Sequence, residues 1–191
     1  MDRNYKVEVV MTGNPPEPGV ILKDSGGKVI GPLDPIVFNK DKDGMKKVDY
    51  YELKFKLHHA NQTNLRFLTD KDNVMWVHGD VEQCPQSNSS NSDFSGVFWV
   101  SEVDSDGEWV KIVNMDMVVQ TFRFQLNLAD KNIQNPTAAD YVSLDPVGDN
   151  QDRGGLGTRT PGLYATAVGV GIVAGLVAFA AARAFLPSLG W

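Results

Sequence analysis

Aspartates in turns are the residues of this chain whose type and spacing best match a cation-binding site. Residues 39–44 place oxygen-bearing side chains at alternate positions, as in the first half of an EF-hand loop. The twelfth position of such a loop is Tyr50 instead of glutamate and no flanking helices are predicted, so an EF-hand is excluded. Aspartates in the loops of a β domain can bind calcium, although aspartate and glycine are also favoured in solvated turns. The candidate calcium ligands are Asp41, Asp43, Asp104 and Asp106.

The histidines and the cysteine do not form a catalytic or metal-binding pattern. His58 and His59 are adjacent, so on a strand their side chains point to opposite faces and cannot bind one ion together. His78 is distant in sequence, and Cys84 precedes a proline in a polar loop. Nucleophile-elbow and phosphate-binding glycine motifs are absent from the sequence. We therefore predict that the protein is not an enzyme, with no catalytic or cofactor-binding residues.

The charge distribution argues against nucleic acid as a partner. The chain has 24 acidic and 18 basic residues, and all the acidic ones lie at or before Asp152. Residues 1–152 hold 15 of the basic residues, so this stretch carries 15 − 24 = −9. A net charge of this sign repels phosphate backbones. The single cysteine also excludes an intramolecular disulfide.

Alternating apolar and polar residues indicate that most of the chain forms β-strands. In residues 51–58 and 121–128 every second residue is apolar, which is the pattern of a strand with one buried face. About nine such segments lie before residue 145 without an amphipathic helix between them. We predict an all-β domain over residues 1–147, folded as an antiparallel β-sandwich that is immunoglobulin-like or, alternatively, a jelly roll. Its last strand is residues 141–144, and Trp76 and Trp99 are its expected core aromatics.

A hydrophobic segment follows this domain. Residues 148–162 are rich in glycine and polar residues and are predicted to form a linker. Residues 163–182 contain no charge, and a helix of that length, about 30 Å, spans one hydrocarbon core. We predict a transmembrane or assembly α-helix over residues 163–186 and a short tail over residues 187–191. The residues suited to the membrane interface are Tyr164, Arg183 and Trp191.

Small residues lie on one face of this predicted helix. This small-residue stripe consists of Ala167, Gly171, Ala174, Gly175, Ala178 and Ala182. Because small residues let two helix backbones approach closely, we expect the stripe to be a helix–helix interface in a homo-oligomer.

The basic residues around the hydrophobic segment predict its orientation. Arg153 and Arg159 precede it and Arg183 follows it, which favours a cytoplasmic N-terminal domain by the positive-inside rule. The missing secretory signal at the N-terminus agrees with this. Only eight residues follow Arg183, so we expect single-pass, tail-anchored insertion.

The β domain also resembles a family of small bacterial β-sandwich proteins, the DP-EP family. The resemblance rests on Glu17-Pro18 in an early loop and on Asp-Pro pairs at residues 34–35 and 145–146. It covers roughly residues 4–148. It implies an immunoglobulin-like fold, supplies no activity and leaves the C-terminal helix outside.

Together these features predict a membrane-anchored, self-associating structural or scaffold protein that displays a β-sandwich domain. Its partners would be membrane lipid and further copies of the chain. One alternative is a β-sandwich binding module that uses the acidic turns, with calcium as its cofactor. Another is a membrane-associated virion structural protein, because β-sandwiches suit capsid lattices.

Overall fold

A computed structural model of the chain describes residues 1–13, 17–46, 48–58, 63–79, 81–82, 84–85, 94, 96–117 and 119–151. The chain divides into two units, Met1–Gly154 and Gly155–Trp191, and all the described residues belong to the first. They form an all-β structure with very little helix, which confirms the all-β part of the prediction. The predicted helix of residues 163–186, the tail of residues 187–191 and the linker from residue 152 onward lie outside the described residues.

The described elements are twelve strands, from two to eleven residues long, with one helical turn and one 3-10 turn. The strands are β1 (Asp2–Thr12), β2 (Glu17–Asp24), β3 (Val29–Ile30), β4 (Pro35–Phe38), β5 (Tyr51–His58), β6 (Leu65–Phe67), β7 (Met75–His78), β8 (Phe98–Val103), β9 (Trp109–Asn114), β10 (Gln120–Asp130), β11 (Val142–Leu144) and β12 (Val147–Asn150). One α-helical turn, α1 (Lys71–Val74), precedes β7, and one 3-10 turn, Ala138–Asp140, precedes β11.

The first sheet has the strand order β3-β2-β1-β5-β9-β8. Its centre is the parallel pair β1 and β5, in which Asp2 lies opposite Glu52 and Glu8 opposite His58. The other neighbours in this sheet are antiparallel. The prediction of a purely antiparallel arrangement is therefore wrong at this pair. A parallel pair requires a long crossover connection, and β2, β3 and β4 lie in that connection.

The second sheet is organised by β10, which pairs along both of its edges. Strands β12 and β11 pair with successive parts of one edge, and β7 and β6 pair with successive parts of the other. Arg123, for example, lies opposite both His78 and Val147. Strand β4 lies beside β12, and this pair is also parallel. Residues 124–129 of β10 are all buried, so both faces of this strand are covered there, and the predicted pattern of one buried face is wrong for this stretch.

The two alternating segments supply the core, as predicted from their period. The residues they bury are Tyr51, Leu53, Phe55 and Leu57 in β5 and Phe122, Phe124, Leu126 and Leu128 in β10. The ring centroids of Phe55 and Phe124 are 6.0 Å apart. Side chains of the first and second sheets therefore meet in one hydrophobic cluster.

Of the two predicted core aromatics, Trp76 is buried and Trp99 is not, so the prediction is wrong for Trp99. Trp99 is 37% exposed, because it lies on the outward face of the edge strand β8 while Phe98 points into the core. Trp76 is buried, but on the face of β7 opposite to Val77, which belongs to the core cluster. There the Trp76 ring packs against Tyr141, with 5.7 Å between ring centroids.

The last described strand lies beyond the position that the sequence predicted. Residues 148–150, which the pattern assigned to the linker, form most of β12 and pair with both β10 and β4. A Cβ atom on Gly148 would lie 2.4 Å from Cζ of the Phe122 ring. The backbone at this position approaches the ring so closely that only glycine fits. The glycine and the polar residues that follow it have the composition of a turn, which is why the alternation did not reveal the strand.

Candidate functional site

The described chain leaves the β domain at one end, which we call the exit end. It consists of the described parts of residues 39–50, between β4 and β5, and of residues 115–119, between β9 and β10, together with Gln151. The two sheets meet here through buried amides, because Nδ2 of Asn114 donates to Oδ1 of Asn150 at 2.8 Å.

Four large apolar side chains are exposed at the exit end. They are Val48 (78% exposed), Tyr50 (47%), Met117 (67%) and Val119 (65%), and we call them the apolar loop surface. Their two loops lie side by side, because β5 and β9 are neighbours and Nζ of Lys40 donates to the carbonyl of Met115 at 2.5 Å. Exposed apolar side chains that are concentrated in one place mark a contact surface more often than isolated ones do.

An ion pair and two aromatic rings hold the first of these loops. Nη2 of Arg3 donates to Oδ2 of Asp43 at 2.6 Å, and the Tyr51 hydroxyl donates to the same oxygen at 2.7 Å. Nη1 of Arg3 donates to the Val37 carbonyl at 2.6 Å. The guanidinium also lies 4.6 Å from the ring centre of Tyr51 and 5.3 Å from that of Phe38. Burial, and then the Asp43 carboxylate, raise the pKa of the Tyr51 hydroxyl above its usual value.

The first pair of candidate calcium ligands lies in this loop. The carboxylate of Asp43 serves as the acceptor for Arg3 and Tyr51, so a cation there would compete with a guanidinium. Asp41 is exposed in the same loop. The loop that resembled half of an EF-hand is thus organised by an ion pair within the domain.

The second pair of candidate calcium ligands lies at the opposite end of the domain, in the turn between β8 and β9. Oδ2 of Asp104 accepts the backbone amides of Asp106 at 3.2 Å and Glu108 at 3.1 Å, which closes the turn. The structure does not bring the two pairs together. Within the part of the chain that is described, no group of three or more His, Cys, Asp or Glu residues is placed to hold a metal ion.

An open cleft of about 550 Å³ also lies at this opposite end, between β6, the β8–β9 turn and the loop after β10. Its charged lining residues are Arg66, Asp106, Glu108, Asp130 and Lys131. The lining carries both signs of charge and points to no single class of ligand, so we assign the cleft no function.

The Cys84 thiol is exposed and lies beside two charged side chains that the sequence did not connect with it. Nη1 of Arg123 donates to Sγ of Cys84 at 3.3 Å. Burial raises the pKa of the Asp145 carboxyl, while a hydrogen bond with Cys84 and the charge of Arg123 partly offset this. Nε of Arg123 and Oδ1 of Asp145 are buried and have no hydrogen-bond partner in the described part of the chain. We assign no reaction to this cluster.

The structure does not test the sites predicted on the C-terminal helix. The residues concerned are Tyr164, Ala167, Gly171, Ala174, Gly175, Ala178, Ala182, Arg183 and Trp191, and all of them lie outside the described residues. Among residues 1–151, as far as they are described, no helix is long and apolar enough to cross a membrane.

The sequence reasoning missed the apolar loop surface. A signal was available, because Met117 and Val119 are apolar residues in a connection between two strands, where polar turn residues are expected. The Arg3–Asp43–Tyr51 cluster left no such signal, since its residues are 40 and 8 positions apart in the chain.

The sequence matches no protein-family model and no curated protein.

Proposed function

We propose that this chain is a membrane-anchored, self-associating structural protein that displays its β domain and catalyses no reaction. The observation that carries the proposal is the uncharged run of residues 163–182, which is long enough for one bilayer crossing. It lies shortly after β12, the last described strand. If this run anchors the chain, the β domain is the part that lies outside the bilayer and is displayed there.

The small-residue stripe supports self-association. In a helix, Gly171, Ala174 and Gly175 lie on one face, where a second copy of the helix could approach closely. Gly169 would lie about 160° around the same helix, on the opposite face. The two glycines therefore provide a matched pair for a test of the interface.

We also propose that the two sheets form a β-sandwich of immunoglobulin-like topology, with a jelly roll as the alternative. The contact between Phe55 and Phe124 and the shared hydrophobic cluster support a face-to-face arrangement. Most of the strand pairings are antiparallel, and the two parallel pairs, β1 with β5 and β4 with β12, depart from the predicted topology.

The arginines around the hydrophobic run favour a cytoplasmic location for the β domain. Two of them, Arg153 and Arg159, precede the run and one, Arg183, follows it. In sealed membrane vesicles with a known orientation, protease should digest the β domain only from the cytoplasmic side.

Membrane extraction and oligomer mass test the anchor and its self-association separately. We expect the full chain to stay in the membrane fraction after an alkaline carbonate wash, and release by the wash would refute the anchor. In detergent, light scattering should give an oligomer for the natural chain and for Gly169→Leu, and a monomer for Gly171→Leu, because leucine on the stripe keeps the helices apart. A natural chain that is monomeric in detergent would refute the self-association.

A further inference from the structure

We propose that the apolar loop surface inserts into the interface of a lipid bilayer and so fixes the exit end of the β domain against the membrane. The inference rests on the proposed function, because residues 163–186 must first hold the chain at a bilayer. It goes further in naming the surface that meets the lipid. The anchor alone does not say which residues of the domain contact lipid.

The chemistry of the surface matches the membrane interface. Val48, Met117 and Val119 are aliphatic and each is at least 65% exposed, so each would lose contact with water on insertion. Tyr50 has an apolar ring and a polar hydroxyl, the combination that is enriched at the level of the lipid headgroups.

The loops hold these side chains in place before any contact with lipid. In the loop of Val48 and Tyr50, Met45 is 8% exposed and its amide donates to the Lys40 carbonyl at 2.8 Å, while Asp43 pairs with Arg3. In the other loop, Oδ1 of Asn114 accepts the amide of Asp116 at 2.8 Å. A preorganised surface does not have to be ordered on binding, which favours shallow insertion.

The path of the chain brings this end of the domain, and not the other, to the bilayer. The amide of Gln151 donates to the Phe38 carbonyl at 2.9 Å, so the chain leaves at the exit end. Residues 152–162 then separate the domain from the uncharged run. Eleven residues reach at most about 40 Å when fully extended, whereas the 11-residue strand β10 alone places the opposite end about 35 Å farther away. The opposite end could therefore approach the bilayer only with this connection almost fully extended.

The charge of the two ends favours the same orientation. Residues 39–50 and 115–119 together contain four lysines and four aspartates, a net charge of 4 − 4 = 0, and Lys42 and Lys46 are exposed in the same loop as Val48 and Tyr50. In residues 104–108 at the opposite end, three acidic residues occur without a basic one. Lipid phosphates would therefore repel the opposite end more than the exit end.

Fluorescence quenching by lipid tests the contact directly. The full chain would be reconstituted in phosphatidylcholine vesicles with brominated acyl chains, in a Cys84→Ser background. A fluorophore would be attached at one new cysteine, made by Val48→Cys, Met117→Cys or, as the control at the opposite end, Ile133→Cys. We expect at least about twofold quenching at positions 48 and 117 and little at position 133.

Each outcome bears on a different step of the proposal. If the chain floats with the vesicles and only positions 48 and 117 are quenched, docking is supported. If it floats and no position is quenched, or all three are quenched alike, the docking surface is refuted while the anchor stands. If the chain does not float with the vesicles, the membrane anchor is refuted and the docking surface with it.

A charge variant provides the second arm of the test. Here the fluorophore is attached at Val119→Cys, and the chain also carries Val48→Asp and Met117→Asp. We expect the quenched fraction of the fluorescence to fall by a factor on the order of five, because a carboxylate is costly to place in apolar lipid. The same chain should still float, since the anchor is untouched, and its melting temperature should be unchanged. Ile133→Asp is the matched control and should leave the quenching as it was. Equal quenching in both variants would refute the role of the apolar loop surface.

Discussion

The carboxylate of Asp43 accepts hydrogen bonds from two residues near the start of neighbouring strands, Arg3 in β1 and Tyr51 in β5. It thereby connects the loop of residues 39–50 to the centre of the first sheet. The side chains of Arg3 and Asp43 are 22% and 23% exposed, so water screens this pair less than it screens a surface salt bridge. Loss of the carboxylate would leave a half-buried cation and a buried hydroxyl without their acceptor.

We expect Asp43→Ala to lower the free energy of unfolding by about 2 kcal/mol for this reason. Urea denaturation followed by circular dichroism would measure it. Asp2→Ala is the matched control, since Asp2 is exposed and adjacent to Arg3, and it should change the stability by less than about 0.5 kcal/mol. Equal effects of the two substitutions would contradict the role given to Asp43.

Tyr51 should make the domain sensitive to high pH. The raised pKa of its hydroxyl means that the folded state holds this proton more tightly than the unfolded chain does. The stability it contributes is therefore complete below the unfolded tyrosine pKa of about 10 and is lost as the pH rises above that value, by at most about 1.4 kcal/mol per pH unit. Urea unfolding at stepped pH values would measure the loss.

Two tyrosine substitutions isolate this effect. Between about pH 10 and pH 12, the free energy of unfolding of Tyr51→Phe should fall less steeply with pH than that of the natural chain, because the variant lacks this one ionisable proton. Tyr50→Phe, in the neighbouring exposed position, should keep the slope of the natural chain. The same slope in both variants would show that Tyr51 is not the group responsible.

At the scale of elements, β12 is short and yet lies between two strands. It pairs with β10 through residues 147–150 and with β4 through the same residues, and Asn150 connects it to the first sheet through Asn114. Its glycine leaves room for the Phe122 ring, which is fully buried. A larger residue at position 148 would overlap that ring, so β12 can occupy this position only with a glycine there.

Gly148→Ala should therefore destabilise the domain by about 2–3 kcal/mol, because the new methyl group overlaps the Phe122 ring. Gly19→Ala is the control in another strand. Its nearest side-chain atom would be 3.5 Å away, so we expect a change of less than about 1 kcal/mol. Thermal unfolding of both variants would decide, and a neutral Gly148→Ala would argue that β12 does not pack against Phe122.

At the scale of the molecule, the described unit has two chemically different ends. The exit end carries the apolar loop surface and the point at which the chain leaves the domain. The opposite end carries the acidic β8–β9 turn and the open cleft with its mixed charge. A domain with this polarity is suited to rest on a surface with one end and to present the other.

The position at which the described unit ends can be tested by truncation. A chain that ends at Gln151 keeps every strand pairing described and should unfold in one cooperative transition. A chain that ends at Pro146 loses β12, which leaves β4 and part of β10 unpaired, and should fail to unfold cooperatively. Circular dichroism melts would compare them. Equal cooperativity would place β12 outside the folding unit.

The sequence alone was sufficient for the all-β class and for the core-facing side of β5 and β10. The alternation in β5 and β10 predicted which residues face the hydrophobic cluster, because side chains alternate between the two faces of any strand, but it did not predict that Gln125 and Asn127 on the other face of β10 are also buried. The hydrophobic run and its small-residue stripe were also read from local composition, and they remain predictions. These are all properties of consecutive residues, which is why a single sequence is enough to state them.

Tertiary structure decided everything that depends on pairing between distant residues. The parallel pairs, the four partners of β10 and the ion pair of Arg3 with Asp43 join segments with no shared local pattern. Residues 147–150 have the composition of a turn and became a strand because β10 and β4 supply their hydrogen bonds. The apolar loop surface likewise exists because folding places two loops, about 70 residues apart in the chain, at one end of the domain. Contacts of this kind are set by packing of the whole chain, which local alternation does not encode.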